Sequence, residues 1–309
     1  MDRPSQLAPL ALPGGSPLAT KPGPVERLSA TAIAARVPRN ELFAALLVIG
    51  TLNGAAGRVI YRLTNESWPT IWLLLELNAV VFLATLAAIH QLYRMPATAP
   101  GRRDLAVAGT TLALIVFPSS PASWLGLTFM GLYLGVTGEP GSRQRRGGWI
   151  VAALTVPMLW SRVLMSVVGD FILRLDALAV SLLLTTERNG NAIAFADGWG
   201  YFWIAPECSS LGNVSLAILA WVAVAQSVED RQRPPPVFFL VLIGSVIALN
   251  VGRMVVTGLS RDNHSIIHGP TGNLVFGWLF LATIAAIIFI GCRAGAARSN
   301  RSRMGASPA

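Results

Sequence analysis

Eight apolar stretches, at about 42–61, 70–92, 104–120, 121–138, 148–164, 209–227, 236–258 and 273–292, divide this 309-residue chain. Most come near the ~20 residues that a helix needs to cross a bilayer. A backbone in lipid has no water to bond, so each stretch must satisfy its own N–H and C=O groups as a helix. Composition agrees: 53% of the residues are hydrophobic and 13% are charged, against roughly 25% charged in soluble domains. The pattern predicts an all-α, polytopic membrane protein with about eight transmembrane helices. Pro118 and Pro121 bracket the turn between the third and fourth, which forms a tight helical hairpin.

The net charge of +9 does not point to nucleic acid. Seventeen of the 24 Lys and Arg fall before the first stretch, in alternate connections, or after the last. The positive-inside rule then places both termini in the cytoplasm of a multi-pass inner-membrane protein. Residues 1–40, rich in Pro, Gly, Ala and Ser, read as a disordered basic tail with no signal-peptide core. Residues 41–292 form the integral membrane domain, and 293–309 a second basic tail. The outer face receives the loop near 62–69, the segment 165–208 and the loop 259–272. Within 165–184 the sequence reads as an amphipathic interfacial helix, on whose polar face Asp170 and Arg174 can pair. Asn189 to Phe202 reads as a Gly-punctuated hairpin, with Phe195, Trp199, Tyr201, Phe202 and Trp203 at the headgroups.

This sidedness gathers five residues at one face, from three consecutive spans. Cys208 opens the sixth span, Arg253 lies about five residues from the outer end of the seventh, His264 and His268 occupy the outer loop, and Asn273 opens the eighth. An arginine inside a span needs a partner, an aqueous cavity or a route to the headgroups. A thiol at a helix N-terminus beside a cation is expected to have a depressed pKa and to be nucleophilic. Glu207 opposes that unless it points to solvent. His264 and His268, four apart, share a helix face. Use of one as a general base outranks metal binding, since no third ligand accompanies them. No cofactor is implied. The two cysteines, Cys208 and Cys292, are expected on opposite faces and unbridged.

The run Cys208-Ser209-Ser210-Leu211, then Asn250-Val251-Gly252-Arg253, then Asn273 to Phe280 resembles the exosortase/archaeosortase family. The resemblance covers residues 40–292 in hydropathy and 205–280 in motifs. It implies a membrane cysteine peptidase or transpeptidase acting on exported proteins that carry a C-terminal motif, an apolar helix and a basic tail. Two positions depart from the family pattern. Ser210 replaces a glycine, and Asn273 stands where a histidine or arginine is usual, four residues before Gly277. The base is then His268, the nearer to the last span, or His264, with Asn273 in a supporting role.

The reaction expected is cysteine acyl transfer: a Cys208 thioester, Arg253 on the thiolate or oxyanion, and His268 protonating the leaving amine. The rival is a non-enzymatic membrane protein, a transporter or assembly factor. Glu76 and Asn78, inside the second stretch, favour that rival.

Overall fold

In the computed structural model, residues 37–65 and 79–304 are described. Residues 1–36, 66–78 (which include Glu76 and Asn78) and 305–309 lie outside them. Every apolar stretch, where described, is helical. In chain order the helices are α1 (Arg39–Asn65), α2 (Ala79–Tyr93), α3 (Arg102–Val116), α4 (Ser120–Thr137), α5 (Arg143–Thr155) and α6 (Ser161–Leu184). A small sheet follows, and then α7 (Ser210–Ser227), α8 (Pro236–Gly258), α9 (Arg261–His268) and α10 (Pro270–Met304).

Three helical segments, Ser210–Ser227, Pro236–Gly258 and Pro270–Asn300, are long and apolar enough to cross a membrane. That is fewer than the eight expected. Part of the shortfall lies in the first half of the chain, where α3 and α5 are short and α6 is interrupted. α3 has 15 residues and α5 has 13. Between α5 and α6 the ladder widens into a π-helical turn, Val156–Trp160. Pro157 sits in that turn. It lacks an N–H, and its ring crowds the carbonyl one turn back, which an ordinary α-helix does not tolerate. A second break falls at Val168 (φ −124°, ψ 18°), just before Gly169. It falls inside the segment read as interfacial, four residues past the fifth apolar stretch.

The α3–α4 hairpin forms as expected. The Asn53 amide of α1 bridges it, donating to the Ile115 carbonyl (2.7 Å) and the Ser123 hydroxyl (2.9 Å). Pro121 occupies the first turn of α4, where its missing N–H costs nothing. The residues after 292 do not leave as an irregular tail: α10 continues through Arg293 to Met304.

The buried apolar side chains form two clusters. The larger runs through α1 to α5, α7, the inner part of α8 and α10, around Phe43, Leu47, Trp124, Leu127, Ile150 and Leu154. The smaller joins α6 (Leu173, Ala177, Val180), the sheet (Ile193, Phe195, Phe202, Ile204) and the far end of α8 (Val251, Met254). Cys208 packs on its edge.

The predicted hairpin is a three-stranded antiparallel sheet: β1 (Arg188–Asn189), β2 (Ala192–Ala194) and β3 (Tyr201–Trp203). Gly190, at φ 64°, takes the left-handed position of the β1–β2 turn. One expectation is corrected here. Phe195 and Phe202 are buried core residues, whereas Trp199, Tyr201 and Trp203 are exposed. Strand side chains alternate between faces, so Phe202 points inward while its neighbours point out. The Asp170–Arg174 ion pair also does not form. Among the described residues the ion pairs lie elsewhere.

Candidate active site

Cys208 ends a 3-10 turn, Pro206–Cys208, that leads into α7. Ser209 caps that helix, its hydroxyl accepting from the Leu211 N–H. Four backbone groups around the thiol are already committed. The Cys208 N–H donates to the Ala205 carbonyl (2.9 Å) and the Ser209 N–H to Pro206 (3.3 Å). The Ser210 N–H donates to Asp176 (3.0 Å). The Cys208 carbonyl accepts from the Asn250 amide of α8 (2.9 Å).

His268 ends the short helix α9, whose start is capped by Ser260, the hydroxyl accepting from the Asn263 N–H. Its Nε2 lies 3.3 Å from Cys208 Sγ. His264, one turn earlier, does not reach the thiol in that way. It stacks on His268, with ring centroids 4.6 Å apart and planes at 16°. Its other contacts are edge-on, with Phe195 at 6.0 Å and Phe202 at 6.5 Å. The buried aromatics of the sheet thus back the histidine stack. Of the two candidate bases, the geometry brings His268 to the thiol and puts His264 behind it.

Arg253 shares a face of α8 with Asn250, three residues earlier. Its guanidinium donates to Asn273 Oδ1 (2.7 Å) and lies over the Phe276 ring, 5.6 Å from the centroid. Its Nε is buried without a partner. No carboxylate pairs with it among the described residues. Asn273 in turn donates to the His268 carbonyl (3.1 Å), so one amide ties the cation to the backbone of the histidine. Gly272 makes this return possible: a Cβ there would run into the carbonyls of Ile266 and Ile267. The structure therefore brings Cys208, His268, Arg253 and Asn273 into one connected group.

The protonation states differ from expectation. Burial pushes the Cys208 thiol above its ordinary value, and Glu207 adds to this. Arg253 and a backbone hydrogen bond at Ala205 pull it down without reversing the effect. The expected depressed thiol is thus corrected. The reason lies in the helix start: Cys208 stands before the Ser209 cap, and the first N–H groups of α7 already bind Asp176 and Ser209. Little of the helix dipole is left to favour a thiolate. Glu207 is exposed. Burial pushes His268 below the ordinary imidazole value, and His264 and Arg253 push it further. A backbone hydrogen bond at His264 acts the other way. Its Nδ1 is buried without a hydrogen-bond partner. At neutral pH the site therefore holds a neutral thiol against a neutral imidazole.

Two further residues belong to the site: Asp176, which was not singled out from sequence, and Asn250, which opens the Asn250–Arg253 motif. Asp176 is buried on α6 and accepts from Ser209 Oγ (2.9 Å), the Ser210 N–H (3.0 Å) and Ser210 Oγ (2.7 Å). Asn250, 1% exposed, also donates to Ser210 Oγ (3.2 Å). A charged residue between apolar neighbours, in a stretch read as interfacial, is the sequence signal for Asp176. Among the described residues no group of three His, Cys, Asp or Glu is placed to hold a metal. Cys292 is free and lies 19 residues beyond Asn273 on α10, a separation of about 28 Å by the helical rise.

Fold and site together define a helical protein with spanning-type helices that carries a cysteine–histidine pair beside an unpaired arginine. No protein-family model matches the chain, and no curated protein or solved structure matches it.

Proposed function

We propose that this protein is a membrane-embedded cysteine peptidase or transpeptidase of the exosortase type. It would cleave C-terminal sorting signals of exported proteins at the outer face of the cytoplasmic membrane. One observation carries the reading: a thiol 3.3 Å from an imidazole nitrogen, within hydrogen-bond reach for proton transfer to a sulfur nucleophile. In this reading the eight helical stretches all cross the bilayer, both termini are cytoplasmic, and the site faces outward.

The chemistry follows from the protonation states. As Cys208 Sγ attacks the scissile carbonyl carbon, its proton passes to His268 Nε2. The carbonyl oxygen becomes an oxyanion. The Cys208 N–H, which would ordinarily help bind it, is committed to Ala205. That leaves the Arg253 guanidinium as the donor, and a positioned donor in a site shielded from water is worth several kcal/mol. Collapse breaks the C–N bond, His268 returns its proton to the leaving amine, and Cys208 holds the acyl group as a thioester. An acceptor amine or hydroxyl attacks next and gives up its proton through His268. The thioester C–S bond then breaks and the thiol is restored. With water as acceptor the outcome is proteolysis. Asn273 takes the supporting role, holding Arg253 against the His268 backbone.

The test is co-expression of the full chain with an exported protein ending in a short motif, an apolar helix and a basic tail. Processing that requires Cys208 supports the reading. Unchanged processing by Cys208→Ala would sink it and favour the transporter or assembly-factor alternative.

A further inference from the structure

Resting on the peptidase reading, we infer that Asp176 is the positioning residue of this site: through Ser209 and Ser210 it aims the Cys208 thiol at His268. Asp104 and Asp176 are the buried carboxylates among the described residues. Asp104 has an obvious partner in the Arg39 guanidinium, at 2.8 Å. Asp176 has no cationic partner among the described residues. A buried carboxylate is costly unless its oxygens are hydrogen-bonded. All three of its donors come from the two residues that follow the nucleophile.

The geometry explains why such a group is kept in an otherwise apolar helix face. Cys208 sits on a 3-10 turn with no strand or helix of its own to hold it. It is fixed from three sides. Its N–H is held by Ala205, its carbonyl by Asn250, and the chain leaving it by Asp176. Two of these anchors cross to other helices, Asn250 on α8 and Asp176 on α6, and of the two only Asp176 offers a pair of acceptor oxygens. The Val168 break lies eight residues before Asp176; by re-aiming the second part of α6, it sets where this carboxylate meets the turn. The same oxygens take the first N–H of α7, a favourable place for negative charge at a helix start. Asp176 thereby joins the rigid α6 to the nucleophile turn. A thiol displaced by about 1 Å is enough to cost on the order of a hundredfold in rate.

The experiment uses the full chain in membranes, with Cys292→Ser so that Cys208 is the single reactive thiol. The probe is iodoacetamide, and the readout is the alkylation rate of Cys208 against pH. With the thiol held on His268, the rate carries an acid-side step of at least about tenfold. The step marks loss of the His268 proton, and it is absent from His268→Ala. Asp176→Ala is expected to lose this step and to alkylate with the single thiol profile of His268→Ala. Asp176→Asn keeps an acceptor oxygen and is expected to restore part of it, with Ser210→Ala between the two. A merely structural role would lower the melting temperature and leave the step in the folded fraction. If Asp176→Ala fails to fold, Asp176→Asn and Ser210→Ala carry the comparison. Retention of a full His268-dependent step in folded Asp176 and Ser210 variants overturns the proposal. So does the absence of that step from the wild-type thiol. If the step behaves as expected while no sorting-signal protein is processed, the peptidase reading fails and the positioning role stands.

Discussion

Two arginines show how the two halves of this molecule differ. Arg39, at the start of α1, lies 5.5 Å from the Phe43 ring centroid, much as Arg253 lies 5.6 Å from that of Phe276. Their polar partners diverge. Arg39 is locked between Asp104 (2.8 Å) and Gln144 (2.7 Å), and Asp104 also accepts from the Tyr133 hydroxyl (2.9 Å). Arg253 donates to an amide oxygen, acts on the Cys208 thiol through its charge, and meets no carboxylate among the described residues. The charge of Arg39 is spent on holding α1, α3, α4 and α5 together. The charge of Arg253 is unspent. A cation without a counter-ion, next to a nucleophile, is placed for charge that arises during a reaction.

The largest expected effect falls on the thiol. Cys208→Ala removes the nucleophile and should abolish processing, while Cys292→Ala, far along α10, should leave it unchanged. Immunoblots of a co-expressed substrate read both. Equal effects of the two substitutions would break the distinction between site and scaffold.

The histidine pair comes next. Loss of a general acid–base typically costs 10²–10⁴-fold, so His268→Ala should reduce the processing rate by about 1,000-fold. His264→Ala removes a stacking neighbour and should cost roughly tenfold, since a positioning contact of this kind is worth about 1 kcal/mol. A reversed order would assign the base to His264.

The arginine comparison can be tested directly. Arg253→Ala should lower the rate about 100-fold or more, with little loss of stability. Arg39→Ala strands a buried carboxylate and should cost about 3 kcal/mol of stability, with a normal rate per folded molecule. Thermal melts alongside turnover separate the two outcomes. A melting temperature lowered more by Arg253→Ala than by Arg39→Ala would show that Arg253 is also structural.

Much of this architecture was legible in the sequence, because a long apolar run must satisfy its own backbone groups as a helix. Each described apolar stretch became a helix, and the Pro118–Pro121 turn became a hairpin. Cys208, Arg253, His268 and Asn273, expected together from charge placement, lie in one connected group. What stayed hidden depended on contacts between segments distant in sequence. The Asp176–Ser210 contact spans 34 residues, and nothing local to Asp176 distinguishes a solvated carboxylate from one that receives three hydrogen bonds. The same gap misled the thiol reading. A helix start raises the expectation of a stabilised thiolate, but only the fold shows that Asp176 and the Ser209 cap have taken its first N–H groups. Phe195 and Phe202 were misread for a related reason: an aromatic-rich strand suits either a headgroup or a core, and the partner face decides.

The smallest effect is on pH dependence, and its sign follows from the two shifted groups. His268 must be neutral to accept the thiol proton. Burial, His264 and Arg253 lower its pKa, so the acid limb of the rate should lie below the ordinary imidazole value near 6.5. The thiol is raised, so attack through a pre-formed thiolate would instead give a rate still rising above the ordinary thiol range. The two routes thus predict limbs on opposite sides of neutrality. A pH–rate profile of processing, flat from just above the His268 transition through pH 8, would identify proton transfer to His268 as the operating route. Removing Arg253 sharpens the test. Without that cation the imidazole is easier to protonate, so the acid limb should move up in pH. The thiolate loses its stabilising charge, so Cys208 should become harder to ionise. Movement of the acid limb in the opposite direction would mean that Arg253 does not act on His268 through its charge.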